Sequence, residues 1–410
     1  MRHCYFFLVF FFLSLSCLQA DETWFESDYL LWRIKDSPIS IPLVTSASLE
    51  DPVPGALGQP GTKVLMGDKN GDWKWRNGFR VTVGKWIDCP SQIGLEGSFF
   101  MLPKTWHRQS VSTSGEVGSK NVAVPIYDVT GLWGLNGVPG ETVFILPGPL
   151  FGPGFRGHFS LHISNLLQGF ELNSLINLPR FNVSFIGGFR WLQLEESLLF
   201  TGRTAALPNS SLSGFYNFKD IFKVNNNFYG FQIGVKTKYD INNWIFKGFA
   251  KVAVGCMHQT LKIKGRSQTS NGNLFYMTNN SGGAVLDGGI FAEPTNQGTY
   301  RWNEFAAVLE SGVNLSYPIF SCLEVGVGYN FMWFNKALRP GKQIDRKINP
   351  TRTALAAESR ETVGVGPDTP IPFGSAAAAS LPRGSEHPKV KHRSSDFWVH
   401  GLAVNLTLHF

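Results

Sequence analysis

The stretch FRGHFSLHIS groups His158, Ser160 and His162 on alternate positions, side chains whose types suit acyl transfer or metal binding. A hydrolase needs its serine hydrogen-bonded to a histidine that an acid or amide orients in turn. Glu96 and Glu171 are the acids this reading would draw on. On a strand, residues two apart have Cβ atoms roughly 6–7 Å apart, longer than a direct hydrogen bond. His158 and His162 would stand about 13 Å apart, too far to share one metal. The set therefore reads as polar lining. Glu195 and Glu196 in LQLEESL point to opposite faces of any strand, so they form no carboxylate dyad and read as a strand end entering an exposed turn. The asparagines of FKVNNNFYG (Phe222–Gly230) read as a hairpin loop. Once a leader is removed, Cys89, Cys256 and Cys322 remain, without CxxC or close histidine spacing for zinc. No P-loop, dinucleotide fingerprint, HExxH or calcium loop is present, so no cofactor and no metal is expected. The basic pieces KTKY and KVKHR lack the aromatic interleaving of a nucleic-acid surface.

The elements that must position these residues are strands. The 410 residues include 44 Gly, 34 Phe and 12 Trp with only 16% charged, which excludes coiled-coil and long-helix classes. A net charge of +7, the difference of 37 and 30, implies no nucleic acid by itself. Residues 1–20 read as a secretory signal: Arg2 and His3, then an apolar run, then Ala20 before Asp21. Beyond it no apolar run is long enough for a transmembrane helix. The periodicity is two. FRVTVGKWI, IGLEGSFFM, FRGHFSLHIS and LEVGVGYNFMW each set large apolar residues against Gly, Ser, Asn and charges. Further strands are expected at Trp24–Arg33, Val122–Thr130, Phe181–Leu194, Tyr229–Tyr239, Trp244–His258, Asn303–Tyr317 and Trp398–Phe410, with weaker ones near Thr260–Lys264 and Asn273–Thr278. Several match the roughly nine to eleven residues that cross a bilayer at a tilt. The expectation is an all-β chain: one antiparallel transmembrane β-barrel of about twelve strands over residues 21–410. Long Pro/Gly-rich loops are expected near 35–77, 135–154, 265–300 and 336–395.

Phase then assigns faces. Leu402, Val404, Leu406, Leu408 and Phe410 should face lipid along the last strand. Arg80, Glu96, Arg156, His158, His162, Arg190, Lys247, Lys251, Glu304, Glu310 and Glu324 should line the lumen, in cross-barrel pairs or in water.

The phrases YLLWRIKDSPISIPLVT (Tyr29–Thr45), PGALGQPGTKVLMG (Pro54–Gly67), GFRVTVGKWIDCPSQIGLEGSFF (Gly78–Phe100), FIGGFRWLQLEESL (Phe185–Leu198) and SDFWVHGLAVNLTLHF (Ser395–Phe410) resemble a planctomycete-type outer-membrane β-barrel protein family. So do Phe228 through Gln259 and VGYNFMWFNKALRPGKQIDRKINP (Val327–Pro350), with RPGKQIDR the most specific phrase. The resemblance covers nearly the whole chain after the leader. It implies a signal peptide and one barrel in the cell outer membrane, and it supplies no catalytic residues.

The leading functional expectation is a structural barrel or a passive small-solute channel. An outer-membrane hydrolase and a surface adhesion or ligand-binding barrel acting through its loops are the alternatives. Expected partners are outer-membrane lipid and the barrel assembly machinery. Small solutes and surface glycans are left open as ligands, and nucleic acid is not expected.

Overall fold

In this computed structural model the described residues are 23–70, 75–87, 92–133, 137–149, 152–210, 214–270, 284–356 and 384–410. The leader at 1–20, Cys89, the strand expected near Asn273–Thr278 and the Ala376–Ala379 run lie outside them. Sixteen strands are numbered among the described residues. Ten form the wall: β1 (Thr23–Ile34), β4 (Arg76–Trp86), β5 (Ile93–Thr113), β8 (Phe155–Leu178), β9 (Val183–Ala206), β10 (Phe215–Ile241), β11 (Trp244–Thr269), β13 (Gly298–Phe320), β14 (Leu323–Leu338) and β16 (Ser394–His409). The others are β2 (Pro38–Ala47), β3 (Val64–Asn70), β6 (Asn121–Asp128), β7 (Gly140–Ile145), β12 (Ala284–Leu286) and β15 (Lys347–Ile348).

The wall runs β10-β9-β8-β5-β4-β1-β16-β14-β13-β11, and β10 pairs with β11 to close it. Closure pairs every wall strand on both sides, which is what a strand needs where lipid offers no hydrogen bonds. The wall has ten strands rather than twelve because the strands are longer than their apolar cores. β8, β9, β10 and β11 run 24, 24, 27 and 26 residues. Thr260–Lys264 is simply the upper part of β11. Phe222–Gly230 is no hairpin but the interior of β10, its polarity satisfied by neighbours: Gln193 donates to Asn225 at 3.1 Å, and Asn226 donates to the Leu338 carbonyl at 3.0 Å. The expected strand at Val122–Thr130 exists as β6 but lies outside the wall.

Short turns and the first and last described residues, Thr23 and Phe410, gather at one end of the barrel. There the Phe410 N–H donates to the Thr23 carbonyl at 2.9 Å. All the long connections leave the other end. Much of what reads as loop is folded: β2, β3, β7 and β15 join β6 in a separate small sheet, with β2 central between β3 and β6.

Two adjacent register rows draw a boundary across five wall strands. Phe170, Trp191, Tyr229, Cys256 and Phe305 pair in one row of outward side chains. Directly above it runs Gln168, Gln193, Asn227, His258 and Asn303. Gln168 donates to Gln193 at 2.7 Å, and the His258 ring bonds Asn303 at 2.7 Å. On the short-turn side of these rows the exposed face is apolar, with Leu172, Ile176, Phe231, Ile233, Val252, Val254 and Val313 among its residues. An aromatic row between an apolar band and polar groups is the arrangement of a barrel at a membrane interface.

Beyond the boundary the phase inverts. On β8, Phe159, Leu161 and Ile163 are fully buried, while Arg156 and His158 are exposed. Inside the membrane a wall is apolar outside; above it, water is outside and the apolar side chains turn inward. They fill a core shared with the small sheet, including Leu43, Val124, Phe200, Phe222 and Phe291. A second core, including Trp32, Phe100, Leu192, Phe228, Met332 and Phe397, fills the barrel below it.

Candidate functional site

Within the apolar belt the inward face carries charges from five strands that meet in one cluster. Arg190 on β9 reaches Glu310 on β13 at 2.5 Å and Glu171 on β8 at 3.3 Å. Arg80 on β4 reaches the other oxygen of Glu310 at 2.6 Å, and Lys251 on β11 reaches Glu171 at 2.7 Å. Gln232 on β10 donates to Glu171 at 3.0 Å. Charges removed from water cost several kcal/mol each unless paired and hydrogen-bonded, and here each acid meets two cations. The Arg80 guanidinium also lies 5.4 Å from the Trp32 ring centroid and 5.7 Å from that of Phe100, seating the cluster against the lower core. The result is a septum of ion pairs bridging the barrel, backed by packed apolar side chains.

On the short-turn side of the septum lies a cavity of about 470 Å³, lined by residues such as Glu26, Asp28, Glu96, Lys236, Lys247 and His409. Glu96 pairs with Lys236, and Glu324 with Lys247. Glu324 also takes a hydrogen bond from the His409 ring at 3.1 Å. Asn405 on β16 donates to Glu26 at 2.7 Å and to Asp28 at 3.1 Å. Indole rings frame the mouth: Trp24 and Trp86 stand 5.4 Å apart, and a β-carbon at Gly84 would overlap the Trp24 ring.

On the other side of the lower core, the RPGKQIDR phrase enters the barrel. Arg339, fully buried, grips Glu196 through two bonds of 2.5 and 2.9 Å. Glu196 is mid-strand on β9 and wholly buried, not a strand end, whereas Glu195 faces outward to Lys104 and Lys223. Asp345 anchors the same segment: it accepts the Lys389 N–H at 2.9 Å and pairs with Lys391 at 3.0 Å and the His387 ring at 3.1 Å. Burial alone would raise its pKa, but these bonds outweigh burial and hold the carboxyl below the ordinary aspartate value.

Of the residues singled out for the lumen, Arg80, Glu96, Arg190, Lys251, Glu310 and Glu324 are buried on the inward face, and Lys247 is half-buried there. Glu304 is half-buried and pairs with Lys336 at 3.1 Å. Arg156 and His158 do not line the lumen: they are exposed on the outer wall, and His162 shares that face half-buried, because their strand segment lies beyond the inversion. Ser160 and His162 do touch, at 2.8 Å, closer than Cβ spacing suggested, since side-chain torsions close the gap. Across from His162 stands Arg108, and Glu96 and Glu171 lie on the other side of the wall, so among the described residues neither acid named for this role reaches the pair. On the terminal strand Leu402, Val404 and Leu406 are exposed, Leu408 and Phe410 half-buried, and Ala403, Asn405 and Thr407 buried. Cys256 is free and exposed, and Cys322 is disulfide-bonded. Glu171, Lys236, Glu196 and Arg339 are inward or interior residues that the lumen assignment omits: Glu171 enters the sequence reading only as a candidate orienting acid and Glu196 only as a strand end. Glu171 was legible in GFELNS, where Phe170 and Leu172 flank it in the outward phase.

A closed wall with an apolar belt and a charged interior is the build of a porin-like barrel, and a family model described as Putative beta barrel porin-7 (BBP7) matches residues 24–410. The chain belongs to this family. No curated protein matches it. Among solved structures, the outer membrane protease OmpT of Escherichia coli aligns over 97% of this chain and 99% of its own at 11% identity and a TM-score of 0.36. A Pseudomonas aeruginosa FadL homologue aligns over 95% and 90% at 7% identity and 0.21. The P. putida toluene transporter TodX gives the same coverage and identity at 0.19. At these scores no residue of those proteins is carried onto this BBP7 chain.

Proposed function

We propose that this porin-like barrel sits in the cell outer membrane as a sealed structural barrel, its short-turn end toward the periplasm and its folded cap outside. The observation that carries this is the septum of Arg80, Glu310, Arg190, Glu171 and Lys251, lying under an apolar core to which nine of the ten wall strands contribute. An open pore would need water where those side chains pack. On this reading its partners are membrane lipid and the barrel assembly machinery, which would meet the strand ending in Phe410, and planctomycete-type membranes are the setting its quoted phrases suggest. Liposome swelling tests it: vesicles holding the folded barrel should exclude small sugars as empty vesicles do. Rapid swelling would overturn it. The second reading is a gated conduit, favoured by the 470 Å³ cavity that ends at the septum.

A further inference from the structure

Above the amide row the outer wall of β10 and β11 turns basic. Its outward positions on β10 are Lys223, Ile221 and Lys219, and the positions opposite on β11 are Lys262, Lys264 and Arg266. All five cations are exposed. Lys223 faces Lys262 directly and Lys219 faces Arg266 directly. Like charges set opposite on neighbouring strands stand about 5 Å apart at Cβ and destabilise the sheet. Lys223 shares Glu195 with Lys104, at 3.1 and 3.2 Å. Among the described residues the other four cations pair with no carboxylate. An external anion is what this face lacks.

Position narrows the anion. Lys223 and Lys262 lie six residues beyond the Tyr229–Cys256 row, about 20 Å along the strand and about 15 Å in height at a barrel tilt. A phospholipid headgroup layer is only about 5–8 Å thick. Its phosphates stop short of the patch, whereas a headgroup built on several sugars reaches it. We propose that this wall binds the phosphorylated saccharide headgroups of an anionic glycolipid in the surrounding leaflet. The proposal rests on the orientation given above, with the long-loop end outside.

The test uses the full barrel folded in nonionic detergent, titrated with purified phosphorylated lipooligosaccharide, its dephosphorylated form, its deacylated form and phosphatidylglycerol. Saturable binding to the first is expected, falling as salt rises. Changing Lys219, Lys262, Lys264 and Arg266 together to Ser should weaken it at least about tenfold while the heat-modifiable mobility of the folded barrel persists. Lys262→Ser alone should raise thermal stability in detergent, by relieving the opposed pair, and reduce the further rise that glycolipid gives. Unchanged binding by the fourfold variant overturns the proposal. So does equal binding of phosphatidylglycerol, of the dephosphorylated form, or of the deacylated form, the last pointing to a soluble polyanion instead. Orientation is read apart, by protease access to the cap on intact cells. A barrel that binds but is inserted the other way overturns the orientation, and a correctly oriented barrel that does not bind overturns this proposal.

Discussion

Glu310 is where single residues matter most, because two guanidinium groups converge on one wholly buried carboxylate. Glu310→Gln should cost about 3–5 kcal/mol by leaving buried charge uncompensated. Glu304→Gln, which breaks a half-exposed pair with Lys336, should cost under about 1 kcal/mol. Reversible folding into lipid vesicles under urea gives both values, and equal costs would contradict the septum's burial. Asp345 sets a pH response. Its folded pKa is depressed, so its contribution is fully present above the unfolded value near pH 4 and is lost as pH falls through the lower folded value. Protection against hydrogen exchange across residues 339–346, measured against the intrinsic rate at each pH, should therefore be high at neutral pH and fall below about pH 4, with Asp345→Asn weakly protected throughout. These partnerships were only half legible in sequence. Alternation marked Arg80, Arg190 and Glu310 as inward, but pairing across a barrel depends on which strands face one another, and local spacing does not carry that.

At the scale of the strand, one element faces two solvents. β8 turns Phe170 and Leu172 outward in the belt and Phe159, Leu161 and Ile163 inward beyond it, so its large apolar residues change face within a single unbroken strand. The change passes through Ser164, Asn165, Leu166 and Leu167, where both phases carry similar residues and alternation goes silent. That silence is why alternation reads Arg156, His158 and His162 as lumen, whereas Leu402, Val404 and Leu406 lie in the apolar stretch of β16, where phase places them outward. Ile163→Asp should be severe, about 3 kcal/mol or more, because it buries an unpaired carboxyl. His158→Leu should be nearly neutral to folding. Leu406→Lys should cost roughly 2–4 kcal/mol if it lies near mid-membrane. Urea titrations of the three variants in vesicles check the inversion, and a larger loss from His158→Leu than from Ile163→Asp would refute it.

For the molecule as a whole, the all-β barrel and its closure were legible, because strand-length alternation without a membrane helix leaves few other solutions. The strand count was legible only to within two, since much of each long strand stands above the membrane and follows the rules of a soluble core. The filled interior was not legible: the small sheet, the RPGKQIDR entry at Arg339 and the ion-pair septum are assembled by contacts between residues far apart in sequence, such as Arg80 with Glu310. A sealed barrel predicts silence in an electrical record, and disruption of its septum predicts at most brief openings, because the apolar core still fills the wall. The most direct measurement is a planar-bilayer recording of the folded, heat-modifiable protein beside its Glu310→Gln variant. No discrete conductance steps from the unmodified barrel is the result expected. Steady steps from it, with an ion preference that shifts when Glu324 is neutralised, would contradict the sealed interior.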